Sequence, residues 1–504
     1  MNKEILIEAG PNENRVAVVE DGILEEFYVE RSNQPRLAGN IYKARVNSLV
    51  PGIGAAFIDL GPKNKDGFLY VSDATGMPSD FEELLVDRDK DKHKKRQPKK
   101  HSSMRITDVL KKSQDVIVQI VKEPVGTKGA RLTTHIALPG RFLVFMPEQK
   151  NHIGISKRIS SDKDRNRIKS ILGDLKLSDQ GGFIVRTAAR NCKTKDLARE
   201  ARFLSRRYRK IMDKAKKAPP PRLLYEEEGL ILRIIRDSFT EDVNVLWVNS
   251  KDAYRRINGF LNNFSPSLKR HVKLYRDKGS LFEKKGLHKQ IERLYNKKVF
   301  LKSGGYIIIE GTESLVAIDV NTGRYTGKKN LEETVFKTNL EAADEVARQL
   351  RLRDRGGIVV IDFIDMEVES HRKKVFQVLS KAVERDRAKT NVLSISNLGL
   401  VEMTRQRIRT NAESLAYKDC PYCKGHGQIK TPSTLSLEAL RRLETYLAQN
   451  KRAKSVRIHV NPEVARQILG EDNPTLKLME RDFGVRISII EESYFHPEQI
   501  ELKT

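Results

Sequence analysis

Two aspartates carry the most specific chemistry in this sequence: Asp319, closing the run "VAIDVNTGR", and Asp362, closing "GIVVIDFIDM". The second run has four apolar residues in its first five, which suits a strand buried on both faces. A carboxylate ending such a strand must be solvated, hydrogen-bonded, ion-paired or metal-bound, because an unpaired buried charge is costly. Between the runs, "LEETVFKTNLEAADEVARQLRLRD" places Leu340, Ala343, Ala347 and Leu350 on one helical face. Asn330 and Glu333 resemble a capping box at its start, and Gly356 and Gly357 stop it. Strand, helix and strand in this order predict a βαβ unit, whose parallel strands carry both carboxylates to one edge of a sheet. Two carboxylates meeting there repel unless a hard cation neutralises them. Mg²⁺ accepts one or two carboxylates while keeping waters and phosphate oxygens, and it can activate a water for attack on a phosphodiester. Asn321 would orient that water or the phosphate, with Asp365 and Glu367 in an outer ring. The competing assignment is helix capping or ion pairing with Arg324 or Arg353.

A second constellation is "CPYCKGHG", where Cys420 and Cys423 stand at CxxC spacing. Structural zinc takes four ligands, and this stretch offers two thiolates plus His426 as a third candidate, so a second chain would complete the set. A redox pair is the alternative, although such pairs open a helix and Gly425 and Gly427 disfavour one. Cys192 stands alone and reads as inert.

The elements around these residues belong to a multidomain chain of mixed α/β and α+β class. Its 504 residues allow about three domains on length alone. A formal net charge of +27 is too lopsided for an ordinary metabolic enzyme and predicts a polyanionic partner, nucleic acid foremost. No apolar leader or membrane-length run occurs, which sets the expectation of a cytoplasmic protein. Short runs between 40 and 72, cut by Pro-Gly, Gly-Pro and Asp-Gly turns, together with "DVIVQIVKE", predict a small β-barrel. Phe57, Phe68 and Tyr70 lie on its strands with Lys43 and Arg45 close by, the residue types an OB-type barrel uses to stack bases and track a backbone. Filling the barrel is the competing role for those rings. "RDKDKHKKRQPKKHSS" cannot form a core and reads as a solvated insertion. "APPPR" reads as a domain edge, "LILRIIRD" and "VNVLWVNS" as strands, and residues 432–504 as a small α+β module.

"GIGAAFIDLG" with "DGFLYVSD" resembles the S1 RNA-binding domain. "AIDVNTGR", "RLRDRGGIVVIDFIDM" and "CPYCKGHG", in this order, resemble the ribonuclease E/G family of endoribonucleases over nearly the whole chain. The resemblance implies catalytic Mg²⁺ on Asp319 and Asp362 with Asn321 assisting, and a structural Zn²⁺ held by Cys420 and Cys423 of each protomer that links a homodimer; pairing of dimers into a tetramer is left open. It also implies a 5′-phosphate sensor at Arg186 and Thr187 with Gly140, Val144 and Lys157, and RNA contacts by Phe57, Phe68 and Lys128. Lys157 departs from the pattern, since a lysine keeps the charge of an arginine and loses its fork.

The implied segments are an RNase H-like part (1–35), an S1-like barrel (36–125, basic insertion 79–105), the sensor (126–222), and a second RNase H-like part (223–294). A DNase I-like catalytic subdomain (295–416), a zinc link (417–430) and a small dimerisation domain (431–504) follow. The expected activity is Mg²⁺-dependent cleavage of single-stranded RNA, in rRNA precursor processing and mRNA decay, stimulated by a 5′-monophosphate. A noncatalytic RNA-binding or ribosome-associated protein and a DNA nuclease are the alternatives. No acidic or Pro-rich tail is present, which disfavours a built-in scaffold.

Overall fold

The computed structural model describes the chain except residues 1, 35, 63, 76–104, 125–127, 150–151, 157–158, 160, 175–180, 313, 324–330, 397–398, 408–415, 419, 424, 426 and 471–473. The basic insertion, Lys157, Arg324, Asn330 and His426 therefore lie outside the described residues. The chain divides into two compact units, Met1–Glu413 and Ser414–Thr504.

In the first unit, the strands Ile41–Val50, Ala55–Asp59, Gly67–Tyr70, Arg131–Thr133 and Asp115–Lys122 pair in that order. The last returns to the first, closing a five-stranded barrel consistent with an OB-like fold. Its interior is filled by Ala44, Val46, Ala56, Ile58, Leu69, Val118, Ile120 and Leu132. The strand Arg131–Thr133 comes from beyond residue 125, and Arg222–Tyr225, directly after the proline run, pairs with Ile41–Val50.

Another sheet joins distant parts of the chain: Lys3–Ala9 pairs antiparallel with Glu13–Glu20 and parallel with Val245–Val248. "LILRIIRD", expected as a strand, is instead the helix Leu230–Ser238. A short apolar run does not distinguish a strand from a buried helix segment. Here Leu230, Ile234 and Ile235 pack into the core beside this sheet, and Glu30 accepts the Leu230 N–H at 2.8 Å at the helix start.

The third sheet positions the aspartates. Its order is Lys298–Phe300, Tyr306–Gly311, Leu315–Asn321, Gly357–Asp362, Leu400–Arg405, Thr390–Val392. Only Leu315–Asn321 and Gly357–Asp362 run parallel, and the helix Leu331–Arg353 connects them as the βαβ pattern predicts. Val316, Ile318, Val359, Ile361, Val401 and Met403 face this helix and Glu369–Glu384, forming the core with Ala343, Val346, Ala347, Leu350, Val375 and Leu379. Each fully buried aliphatic side chain contributes about 1.5–3 kcal/mol.

Among the described residues, nothing buries the other face of this sheet at Ile358, Asp319 and Asp362. Ile358 is 52% exposed and alternates with the buried Val359, so the strand is covered on one face and not on both. That corrects the reading of "GIVVID", because an unbroken apolar run carries no period to reveal a solvent face.

The second unit pairs Ser455–Val460 parallel with Arg486–Glu491 and antiparallel with Ile500–Lys503, with the helices Pro432–Gln449, Pro462–Leu469 and Pro474–Phe483. Among the described residues, no helix is long and apolar enough to cross a membrane.

Candidate active site

Asp319 and Asp362 are register partners across the parallel pair, so their Cα atoms are about 4.8 Å apart. Both side chains are exposed on the open face. Asn321 Nδ2 donates to Asp319 Oδ2 at 2.6 Å. The Asp362 carboxyl is held above the usual carboxylate range, first by partial burial and then by repulsion from Asp319 and Asp365. No cation enters that balance, and among the described residues no basic side chain pairs with either aspartate. Arg353 is buried and donates to Gln349 at 2.7 Å.

This donor set fits a divalent cation: two adjacent, hydrated carboxylates carry uncompensated charge that such an ion would remove. No group of three or more His, Cys, Asp or Glu side chains suited to a metal occurs among the described residues.

Sequence reasoning missed the residues that hold the loop after Asp362. Asn339, fully buried on the helix Leu331–Arg353, donates to the Ile364 carbonyl at 2.8 Å and accepts the Ile364 N–H at 3.2 Å. Glu332 accepts the N–H groups of Glu367 and Val368 and bonds His371 Nδ1 at 2.8 Å. Glu367 thus contributes its backbone here, while Asp365 contributes charge.

On the barrel, Phe57 and Phe68 are register partners with ring centroids 5.4 Å apart, and Tyr70 follows 4.5 Å from Phe68. The rings are outside the barrel core and partly exposed, which disposes of the filling role. Arg131 lies 5.6 Å from the Tyr70 ring centre. Lys128 is exposed, and the next residue, Gly129, passes so close to the Asp66 carbonyl that a Cβ would collide with it. Lys43 and Arg45 are engaged by the Ala215 carbonyl and Asp115.

At the expected sensor, Arg186 is half-buried and Thr187 is exposed, 3.4 Å from the Ser156 hydroxyl. One guanidinium nitrogen of Arg186, Nη1, donates to both the Gly140 carbonyl and Asp237 Oδ1, each at 2.6 Å. Two residues that carry no sequence motif build this arrangement. Asp237, held well below the usual carboxylate range by Arg186 and Arg236 despite burial, fixes the guanidinium. Glu200, wholly buried, accepts the N–H groups of Arg141, Phe142 (2.7 Å) and Leu143 (3.1 Å), fixing the turn that presents Gly140. A Cβ on Gly140 would sit 2.5 Å from Glu200 Oε1. Burial pushes the Glu200 carboxyl up to about 7. Val144 is buried with Ala137, Met146 and Ile184, so its side chain packs in the interior of this segment.

Cys420 is exposed and Cys423 half-buried, in a turn that precedes the helix Pro432–Gln449. Backbone N–H groups of Cys423 and Tyr422 lower the Cys420 pKa, favouring the thiolate. Cys192 is buried, and its thiol is pushed up to about 12.

A sequence profile described as the ribonuclease E/G family matches residues 137–408, and one described as an RNase E/G thioredoxin-like domain matches 419–504. Ribonuclease G of Haemophilus influenzae is 38% identical over 99% of this chain and 99% of its own length. Ribonuclease G of Escherichia coli K12 is 38% identical over 100% of this chain and 99% of its own. Ribonuclease E of the same strain is 36% identical over 97% of this chain, which covers 45% of that longer protein. The chain belongs to the ribonuclease E/G family, and with that membership its enzyme class is endoribonuclease.

Proposed function

We propose that this chain is a Mg²⁺-dependent endoribonuclease that cuts single-stranded RNA and is stimulated by a 5′-monophosphate, acting in rRNA precursor processing and mRNA decay. The observation that carries the reading is the in-register pair Asp319 and Asp362, exposed, mutually repelling and without a basic partner among the described residues. These two side chains would hold Mg²⁺, which when bound supplies an activated water and neutralises charge on the phosphate. Asn321, already bonded to Asp319, keeps that carboxylate oriented and offers its amide to an incoming phosphate oxygen. Asn339 and Glu332 hold the loop after Asp362 against displacement when substrate arrives.

Phe57, Phe68 and Lys128 bind RNA by stacking and charge, and the net charge of +27 favours the same polyanion. Arg186 and Thr187, with Gly140, Val144 and Lys157, receive the 5′-phosphate. With Nη1 spent on Gly140 and Asp237, the Nε and Nη2 edge of Arg186 remains as a bidentate fork. The barrel, sensor, RNase H-like, DNase I-like and small-domain assignments belong to this reading, as does the cytoplasm, where free thiols such as Cys192, Cys420 and Cys423 persist. Cys420 and Cys423 suit half of a tetrahedral zinc site, which two protomers would complete.

The test is cleavage of a single-stranded RNA bearing a 5′-monophosphate, with Mg²⁺ or EDTA, by wild type and Asp362→Asn. Loss of cleavage with EDTA and in the variant is expected; binding without cleavage by wild type in Mg²⁺ would overturn the reading.

A further inference from the structure

The open face of the catalytic sheet carries more than carboxylates. Lys298, Ile308, Asp319 and Asp362 are successive register partners across four strands, and Phe300, Tyr306 and Asn321 form the neighbouring row on the same face. Phe300 is 71% exposed, although Val299 beside it packs against the core. The Phe300 and Tyr306 ring centroids are 6.3 Å apart, edge to face. Lys298 Nζ lies 3.5 Å from the Tyr306 ring centre and 5.2 Å from that of Phe300. The Tyr306 ring is also close to the active-site turn, since a Cβ on Gly323 would sit 3.4 Å from it.

An edge strand is commonly guarded by lysine, which accounts for Lys298. It does not account for a large exposed aromatic in the row beside it, on the face where RNA must lie if Asp319 and Asp362 cut it. Exposed rings with an adjacent cation are the pairing that single-stranded nucleic acid binds, the ring stacking a base and the cation meeting the backbone.

We propose that Phe300 and Tyr306, with Lys298, form a nucleobase-stacking subsite for the single-stranded RNA substrate, beside the Asp319 and Asp362 centre. The proposal rests on the active-site reading above. Lys298 sits closer to the Tyr306 ring than to that of Phe300, and Phe300 is the more exposed of the two, so Phe300 offers the larger stacking surface. The Cα of Phe300 is two strands across and two residues along from that of Asp319, about 12 Å. Depending on how far the strand is unstacked, that spans about two to four nucleotides from the scissile phosphate.

The experiment compares wild type, Phe300→Ala and Phe300→Trp on a single-cut, 5′-monophosphorylated RNA and on a series of the same RNA with one base removed at successive positions. Phe300→Ala is expected to raise KM between about fivefold and a hundredfold with kcat little changed, and Phe300→Trp to restore it. The deficit of the alanine variant should vanish on the RNA lacking the one stacked base. An unchanged KM overturns the proposal, as does an equal deficit on every abasic RNA. A change in oligomeric state with RNA kinetics intact would assign the patch to a protein interface and also overturn it. Wild type failing to cut the parent RNA would instead defeat the active-site reading itself.

Discussion

The two ends of the strand Gly357–Asp362 treat negative charge in opposite ways. At its start, Gly357 lies opposite Arg405, whose buried guanidinium donates to Asp386 at 2.7 and 3.3 Å and to Asp354 at 2.8 Å. At its end, Asp362 lies beside Asp319 with no basic side chain among the described residues to meet either. Arg405 is on the face covered by helices, where a charge must be matched; the aspartate pair is on the open face, where water tolerates the mismatch. Matched charge holds the fold together on the covered face, and the unmatched pair is tolerated where solvent reaches it. The sensor segment follows the first pattern at Asp237, whose carboxylate meets Arg186 and Arg236.

Exchanging the two ends gives the largest contrast. Arg405→Met takes away the guanidinium that Asp354 and Asp386 share, and should cost about 3–5 kcal/mol in urea unfolding. Asp362→Asn should stay within about 0.5 kcal/mol of wild type, because it removes repulsion at an exposed site, while cleavage falls at least about a thousandfold. Unfolding of Arg405→Met at the wild-type midpoint would show that the buried Arg405 cluster does not hold the strand's start.

Glu200 is a buried carboxyl whose charge is not fully matched, and it makes stability depend on pH. Its folded pKa of about 7 stands above the ordinary 4.5, so the folded state holds the proton longer. Stability conferred by that proton is complete below about 4.5 and is lost as pH rises through about 7, up to about 3 kcal/mol. Glu200→Gln should flatten this slope in unfolding measured from pH 4 to pH 8, and an identical slope in the variant would exclude Glu200 as its source.

The smallest effect tests Asp237 as the residue that positions Arg186. Asp237→Asn should raise KM about threefold to tenfold for RNA with a 5′-monophosphate and leave a 5′-hydroxyl RNA unaffected. Equal losses on both RNAs would mean that Asp237 only supports the local packing.

The βαβ unit was legible in the residues alone, because a helical period between two apolar runs leaves few topologies, and parallel strands must bring Asp319 and Asp362 to the same edge. So was the expectation of a polyanionic partner, since charge is a property of composition. What the residues alone did not show is that the sheet carrying the aspartates leaves one face unburied among the described residues, that 230–238 is a helix, and that Asn339 holds the loop after Asp362 while Glu200 and Asp237 hold the turn at Gly140 and the Arg186 guanidinium. A hydrogen bond across tens of residues leaves no local period or motif. Burial of an apolar run depends on what packs against it, and that is settled only when the whole chain has folded.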